Sequence, residues 1–265
     1  MLDLQRKLRS GASPVRARLL ARYFKTGPGE YAEGDVFLGL TVPQVRRAAA
    51  AARDAGEGAV RTLLRSRYHE ERLLGLLILV RQFERGDADR RRRITRFYLS
   101  NLDAVNNWDL VDLSAPRILG PAWAGGGRDT ARRRALARSP DLWRRRIAVM
   151  STFHDIGRGR LQRSLQLAAA LLDDPEDLIH KAVGWMLREV GKRDPDVLRR
   201  FLRRHLPRMP RTALRYAIER FGARERKAWL SGAAVRAAGA GRARRRRAPS
   251  ARPASLSSPE APAGR

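Results

Sequence analysis

Apolar residues along this chain recur at three- and four-residue spacing, and no run alternates in the manner of a half-buried strand, so the pattern predicts an all-α protein. Residues 1–24 read as an amphipathic helix with Leu2, Leu4, Leu8, Val15, Leu19, Leu20 and Phe24 on its apolar side, interrupted by Gly11 and Pro14. A connector rich in breakers follows, with Gly27, Pro28, Gly29, Gly34 and Gly39. Thr41, with Pro43 in the first turn and Gln44 three positions on, has the form of a capping box, and its helix should run to Asp54 before Gly56. A short helix over 58–67 precedes the stretch 69–84, where Leu73, Leu74, Leu76, Leu77, Ile78, Leu79 and Val80 leave so little polar face that the helix should be central. Asp87 starts the next helix, and Asn106 opens another that should stop near 116–120. Beyond the loose, glycine-rich 121–129, helices are expected to Arg138, from Ser139 as N-cap with Pro140 at the first position, over 161–172, around His180 to Glu189, from Asp194-Pro195, and from Pro210 with Tyr216 and Phe221 inward. A last short helix should end at Leu230.

Within this series one segment stands out, Asn106-Asn107-Trp108-Asp109-Leu110-Val111-Asp112. On a helix Trp108 and Asp112 share a face, and Asp109 points elsewhere, to cap or to pair with a neighbouring arginine. Arg146 lies 38 residues after Trp108, and Trp185 lies 39 after Arg146. An interval that nearly constant marks stacked helical repeats, in which equivalent positions line up on one surface, so the fold expected is a helical-repeat solenoid and the four residues one groove. Each has a plainer reading when taken alone: Arg146 belongs to an arginine triplet that could be a solvated face, Trp185 behind Gly184 could be core, and Asp112 could be a surface acid.

Charge changes the picture. The formal net charge is +29, and since eight arginines against one glutamate lie from residue 236 onward, about +22 belongs to the first 235 residues. A body that basic has a polyanion such as nucleic acid as its leading partner class. From about Ser231 the composition collapses to Ala, Gly, Arg, Pro and Ser, which predicts one domain over 1–231 and a disordered arginine-rich tail over 232–265. The absence of cysteine excludes disulfides, thiolate zinc sites and cysteine nucleophiles. Four histidines with no i, i+4 pair argue against a metal site, and Gly125 to Gly127 lack the Lys and Ser/Thr of a phosphate-cradling loop. No stretch is long enough to span a bilayer and no signal core is evident, so a soluble intracellular protein is expected.

Several ordered motifs then give a resemblance. ARYFKTG (21–27), FLGL (37–40) followed by Pro43, HEERLLGLLIL (69–79), NNWDLVDLSAP (106–116), LWRRRIA (142–148) and IHKAVGWMLREVGKRDPD (179–196) resemble the AlkD-type DNA alkylation repair family, the HEAT-like-repeat alkylpurine DNA glycosylases, over nearly all of residues 1–231. The resemblance implies a HEAT-like solenoid with a concave basic groove. It implies hydrolysis of the N-glycosidic bond of cationic N3- or N7-alkylpurines in double-stranded DNA, without a cofactor or metal. It also implies a catalytic set of Asp112, Trp108 and Trp185, and DNA contacts by Arg146, Tyr23, Arg188 and Lys181, with Arg146 on a backbone phosphate. A cytoplasmic monomer at the bacterial nucleoid is the setting it implies. One family pattern carries a second tryptophan where this chain has Asn107. The competing expectations are a noncatalytic DNA-binding scaffold, against which the retained Asp112 and both tryptophans argue, and a protein adaptor, against which the charge argues.

Overall fold

A computed structural model describes residues 2–125 and 127–233; the predicted disordered tail falls almost wholly on 234–265, outside the described residues. All elements described are helical: α1 (Leu2–Arg9), α2 (Pro14–Tyr23), α3 (Val42–Ala51), α4 (Glu57–Leu64), α5 (His69–Arg85), α6 (Ala88–Leu99), α7 (Trp108–Ala122), α8 (Arg128–Ala137), α9 (Leu142–Met150), α10 (Phe153–Gly157), α11 (Gln162–Ala170), α12 (Asp177–Arg193), α13 (Pro195–His205), α14 (Arg211–Ala217) and α15 (Ala223–Leu230), with two short 3-10 turns. Contacts divide the chain into residues 1–221 and 222–265, and the second unit's described helix is α15.

Within the first unit, α5, α7, α9 and α12 pack each against the next, and the intervening helices flank them: α3, α4 and α6 on α5, α8 and α11 on α9, α13 and α14 on α12. This is the order of a helical-repeat solenoid, in which each unit buries its apolar face on its neighbours. The central position expected for α5 holds, since all but three of its 17 residues are buried. Capping follows the sequence at Thr41, where the full capping box with Gln44 forms, and at Asp87 and Asp194, whose carboxylates accept first-turn backbone N–H groups.

Four expectations are corrected and one helix is added. Val15 and Leu19 stand 63% and 60% exposed on α2, whose inner side is made by Ala17, Leu20 and Ala21 instead. Tyr216 is exposed and Phe221 half-buried, where both were expected inside. The cap of α9 is Asp141, which takes N–H bonds from Trp143 and Arg144; the Ser139 hydroxyl accepts the N–H of Asp141 instead, and the carboxylate two residues on offers the better acceptor. The short α10 had no pattern of its own. Finally, α7 continues through Pro116 and Pro121. Proline 116 has no N–H for the carbonyl of Asp112, a loss that normally ends a helix. Here Leu110, Val111, Ala115, Ile118 and Leu119 are completely buried among α5, α6, α9 and α10, and packing overrides the local penalty.

Candidate functional site

Asp112 and Arg146 meet where α7 packs on α9. Arg146 Nε and Nη2 donate to Asp112 Oδ1 and Oδ2 at 2.9 and 2.8 Å, a two-pronged pair, while Nη1 donates to the carbonyl of Leu178 on α12 at 2.5 Å. One guanidinium therefore ties three successive inner helices. Burial pushes the Asp112 carboxyl up, and the positive charge and hydrogen bonds of Arg146 pull it back. Arg146 is itself 4% exposed and faces this carboxylate. The triplet 144–146 divides by helical angle, Arg144 reaching Asp103, Arg145 gripping Asp174, and Arg146 turned inward to Asp112.

Trp108 begins α7, one turn before Asp112. Asn107, fully buried, caps the helix by accepting the Trp108 N–H at 2.8 Å. The ring of Phe24 lies flat on the indole (centroids 5.1 Å, planes 11° apart), and Tyr23, 64% exposed, meets it edge-on at 6.1 Å. One indole face is thereby covered.

The single groove expected is, in the structure, two hollows that share Trp185. The larger, about 690 Å³, is lined by Asp112, Phe153, His154, Trp185, Arg117 and Arg158 among others. The smaller, about 440 Å³, is lined by Tyr23, Trp108, Arg146, Lys181, Trp185 and Tyr216 among others. Trp185 contacts Phe153 at 6.4 Å between centroids and donates its Nε1–H to Glu189 at 3.2 Å. Gly184 beside it is required by close approach, because a Cβ there would sit 2.6 Å from both the Ala213 carbonyl and the Tyr216 Cβ. Lys181 faces the smaller hollow and pairs with Asp177 at 2.9 Å, whereas Arg188 lines neither hollow and is drawn to Glu219.

Sequence reasoning missed the buried polar system behind Trp108. His69, at the start of α5, contacts Asp35 through Nδ1 at 2.9 Å and Asp109 through Nε2 at 2.8 Å. Asp109 was expected to cap or to pair with an arginine; it accepts its own helix's Leu110 N–H and takes a histidine as its partner. Asp35 also receives Arg72 and, at 3.2 Å, Asn107 Nδ2. Next to it Glu70 accepts the backbone N–H groups of Leu38, Gly39 and Leu40 at 2.8, 2.8 and 3.1 Å, fixing the connector against α5. The only advance signal was the acid-rich HEE at the head of an otherwise apolar helix.

Among functionally curated proteins, none matches this sequence. A solved structure described as a predicted DNA alkylation repair enzyme from Enterococcus faecalis is similar in fold, with a TM-score of 0.60 at 14% identity over 80% of this chain and 97% of that one. The family model for the DNA alkylation repair enzyme matches residues 4–221, spanning every helix that builds the two hollows, and the chain belongs to that family.

Proposed function

We propose that the protein is a DNA glycosylase that hydrolyses the N-glycosidic bond of cationic N3- or N7-alkylated purines in duplex DNA. The observation that carries this reading is the carboxylate of Asp112, largely shielded from solvent, held by Arg146, and opening on a hollow walled by Trp185. A purine alkylated at N3 or N7 is positively charged and departs neutral, taking the electron pair of the glycosidic bond, so little help from a general acid is needed. What is needed is a fixed negative charge near the developing oxocarbenium sugar, and it is strongest where water is excluded. Asp112 supplies that charge and orients the water that adds at C1′, passing its proton to solvent. Each carboxylate oxygen bonded to Arg146 keeps a second lone pair for this work. Trp108 and Trp185 offer electron-rich faces to the cation, worth about 0.5–2 kcal/mol each.

Arg146 acts as the residue that holds Asp112 ionised and aimed. Lys181, Tyr23 and Arg188 belong to a basic groove that follows the duplex, Arg188 after exchanging Glu219 for a phosphate. No cofactor or metal enters the scheme, the protein works as a monomer, and its substrate places it in the cytoplasm at the nucleoid. No helix among the described residues is long and apolar enough to cross a membrane.

The test is incubation of alkylated duplex DNA with wild type and Asp112→Asn, with released bases measured by chromatography and binding by anisotropy across a salt series. Free N3- or N7-alkylpurine is expected from the wild type alone, with both proteins binding DNA more weakly as salt rises. Equal release by both would remove Asp112 from its role, and no release by either would leave the DNA scaffold as the reading.

A further inference from the structure

The histidine system behind Trp108 is not used by the chemistry proposed above, yet its geometry converges on that residue. His69 is 2% exposed, and both ring nitrogens lie within hydrogen-bond distance of a carboxylate. A neutral imidazole has one N–H; serving two ionised acids takes the two N–H groups of the imidazolium. The charged groups facing it bear this out as a set: Asp35 from the connector, Asp109 from α7 and Arg72 from its own helix give two negative and, with His69 protonated, two positive charges. With a neutral His69 the same buried cluster holds an uncompensated carboxylate, an arrangement that strongly favours taking up the proton. Accordingly the two carboxylates raise the His69 pKa to about 9 against the effect of burial.

Three routes lead from this ring to Trp108. The residue before it, Asn107, donates to Asp35, and the residue after it, Asp109, accepts from His69, so both chain neighbours of the indole are held by one charged unit. The third route is through rings: Phe37 stacks on His69 at 4.6 Å, and Phe24, 5.1 Å from His69, stacks on Trp108 at 5.1 Å.

We propose that His69, as an imidazolium between Asp35 and Asp109, is a positioning residue that fixes the first turn of α7 and sets the indole of Trp108 against the hollow. Loss of its charge releases Asp109, and the turn carrying Trp108 loosens while Asp112, secured separately by Arg146, keeps its place. The effect on excision rests on the proposed function; the effect on the indole does not.

The experiment therefore has a substrate-free arm. Tryptophan emission of the full chain is followed from pH 6 to 10.5 in wild type and in Trp108→Phe, and their difference isolates Trp108. A transition centred near pH 9 is expected in the wild type. It should vanish in His69→Gln, whose indole signal at pH 7 should match that of wild type at pH 10. Should His69→Gln fail to fold, Asp109→Asn removes one charge at a site with 11% side-chain exposure and is expected to move the midpoint to lower pH. In the second arm His69→Gln lowers kcat for alkylpurine release by roughly 10- to 100-fold, with DNA affinity within about twofold of wild type, as expected when a catalytic partner is slightly misplaced. A wild-type difference signal flat across the range, or a midpoint unmoved by Asp109→Asn, overturns the positioning role. Absence of base release from wild type with the transition intact overturns the glycosylase reading and leaves the positioning role standing.

Discussion

At the scale of single residues, Asp112 and Arg146 divide a task that the chain keeps 34 positions apart. The carboxylate is raised by burial and held down by the guanidinium, so Arg146→Ala should leave it protonated over a wider pH range. On the proposed function, in which ionised Asp112 is the working form, excision by Arg146→Ala is expected to be low near neutrality and to recover as pH rises; a pH–rate profile parallel to that of wild type would refute this. The same variant leaves this acid without its partner, and because the acid can take up a proton the loss in denaturant melts should fall below the about 3–5 kcal/mol of an uncompensated buried charge. The sequence made Asp112 and Trp108 visible through their shared helix face and Arg146 and Trp185 through a repeat interval. It did not show the partner of Arg146, since only the packing of α9 on α7 turns that guanidinium to Asp112. His69 was less visible still, because its partners stand 34 and 40 residues away, one of them in a connector without periodicity.

Element by element, legibility followed the strength of the local signal. Caps at Thr41, Asp87 and Asp194 and the apolar run of α5 are local and were readable. The course of α7 through two prolines was not, because long-range burial decides it. On α2 the leucines misled for the converse reason: Leu19 has the right spacing but no helix among the described residues lies over it. Replacing Leu19 with Ser should therefore change stability by less than about 0.5 kcal/mol. Gly39 in the connector should behave in the opposite way. Its φ is +84°, and an added Cβ would fall 2.2 Å from the Ser13 carbonyl, so Gly39→Ala must displace either α2 or the backbone held by Glu70. A loss of more than about 2 kcal/mol is expected in urea melts, with excision falling alongside as Phe24 and Tyr23 lose their seat; a neutral result would mean the connector is not fixed in this way.

For the whole molecule, the buried ion system makes stability depend on pH with a definite sign. His69 titrates near 6.5 when unfolded and near 9 when folded, so its contribution is complete below about pH 6.5 and is lost as pH rises through 9. The melting temperature should fall across that window, and the fall should be blunted in Asp109→Asn; a flat curve in wild type would show that the proton is not held more tightly by the folded chain. The guanidinium that serves Asp112 also bolts α9 to α12 through the Leu178 carbonyl. The pair therefore has a mechanical duty in the fold besides the chemical one proposed for it, and a change at either residue would cost folding and excision together. On the proposed function a change at Tyr23, which is 64% exposed, would separate the two.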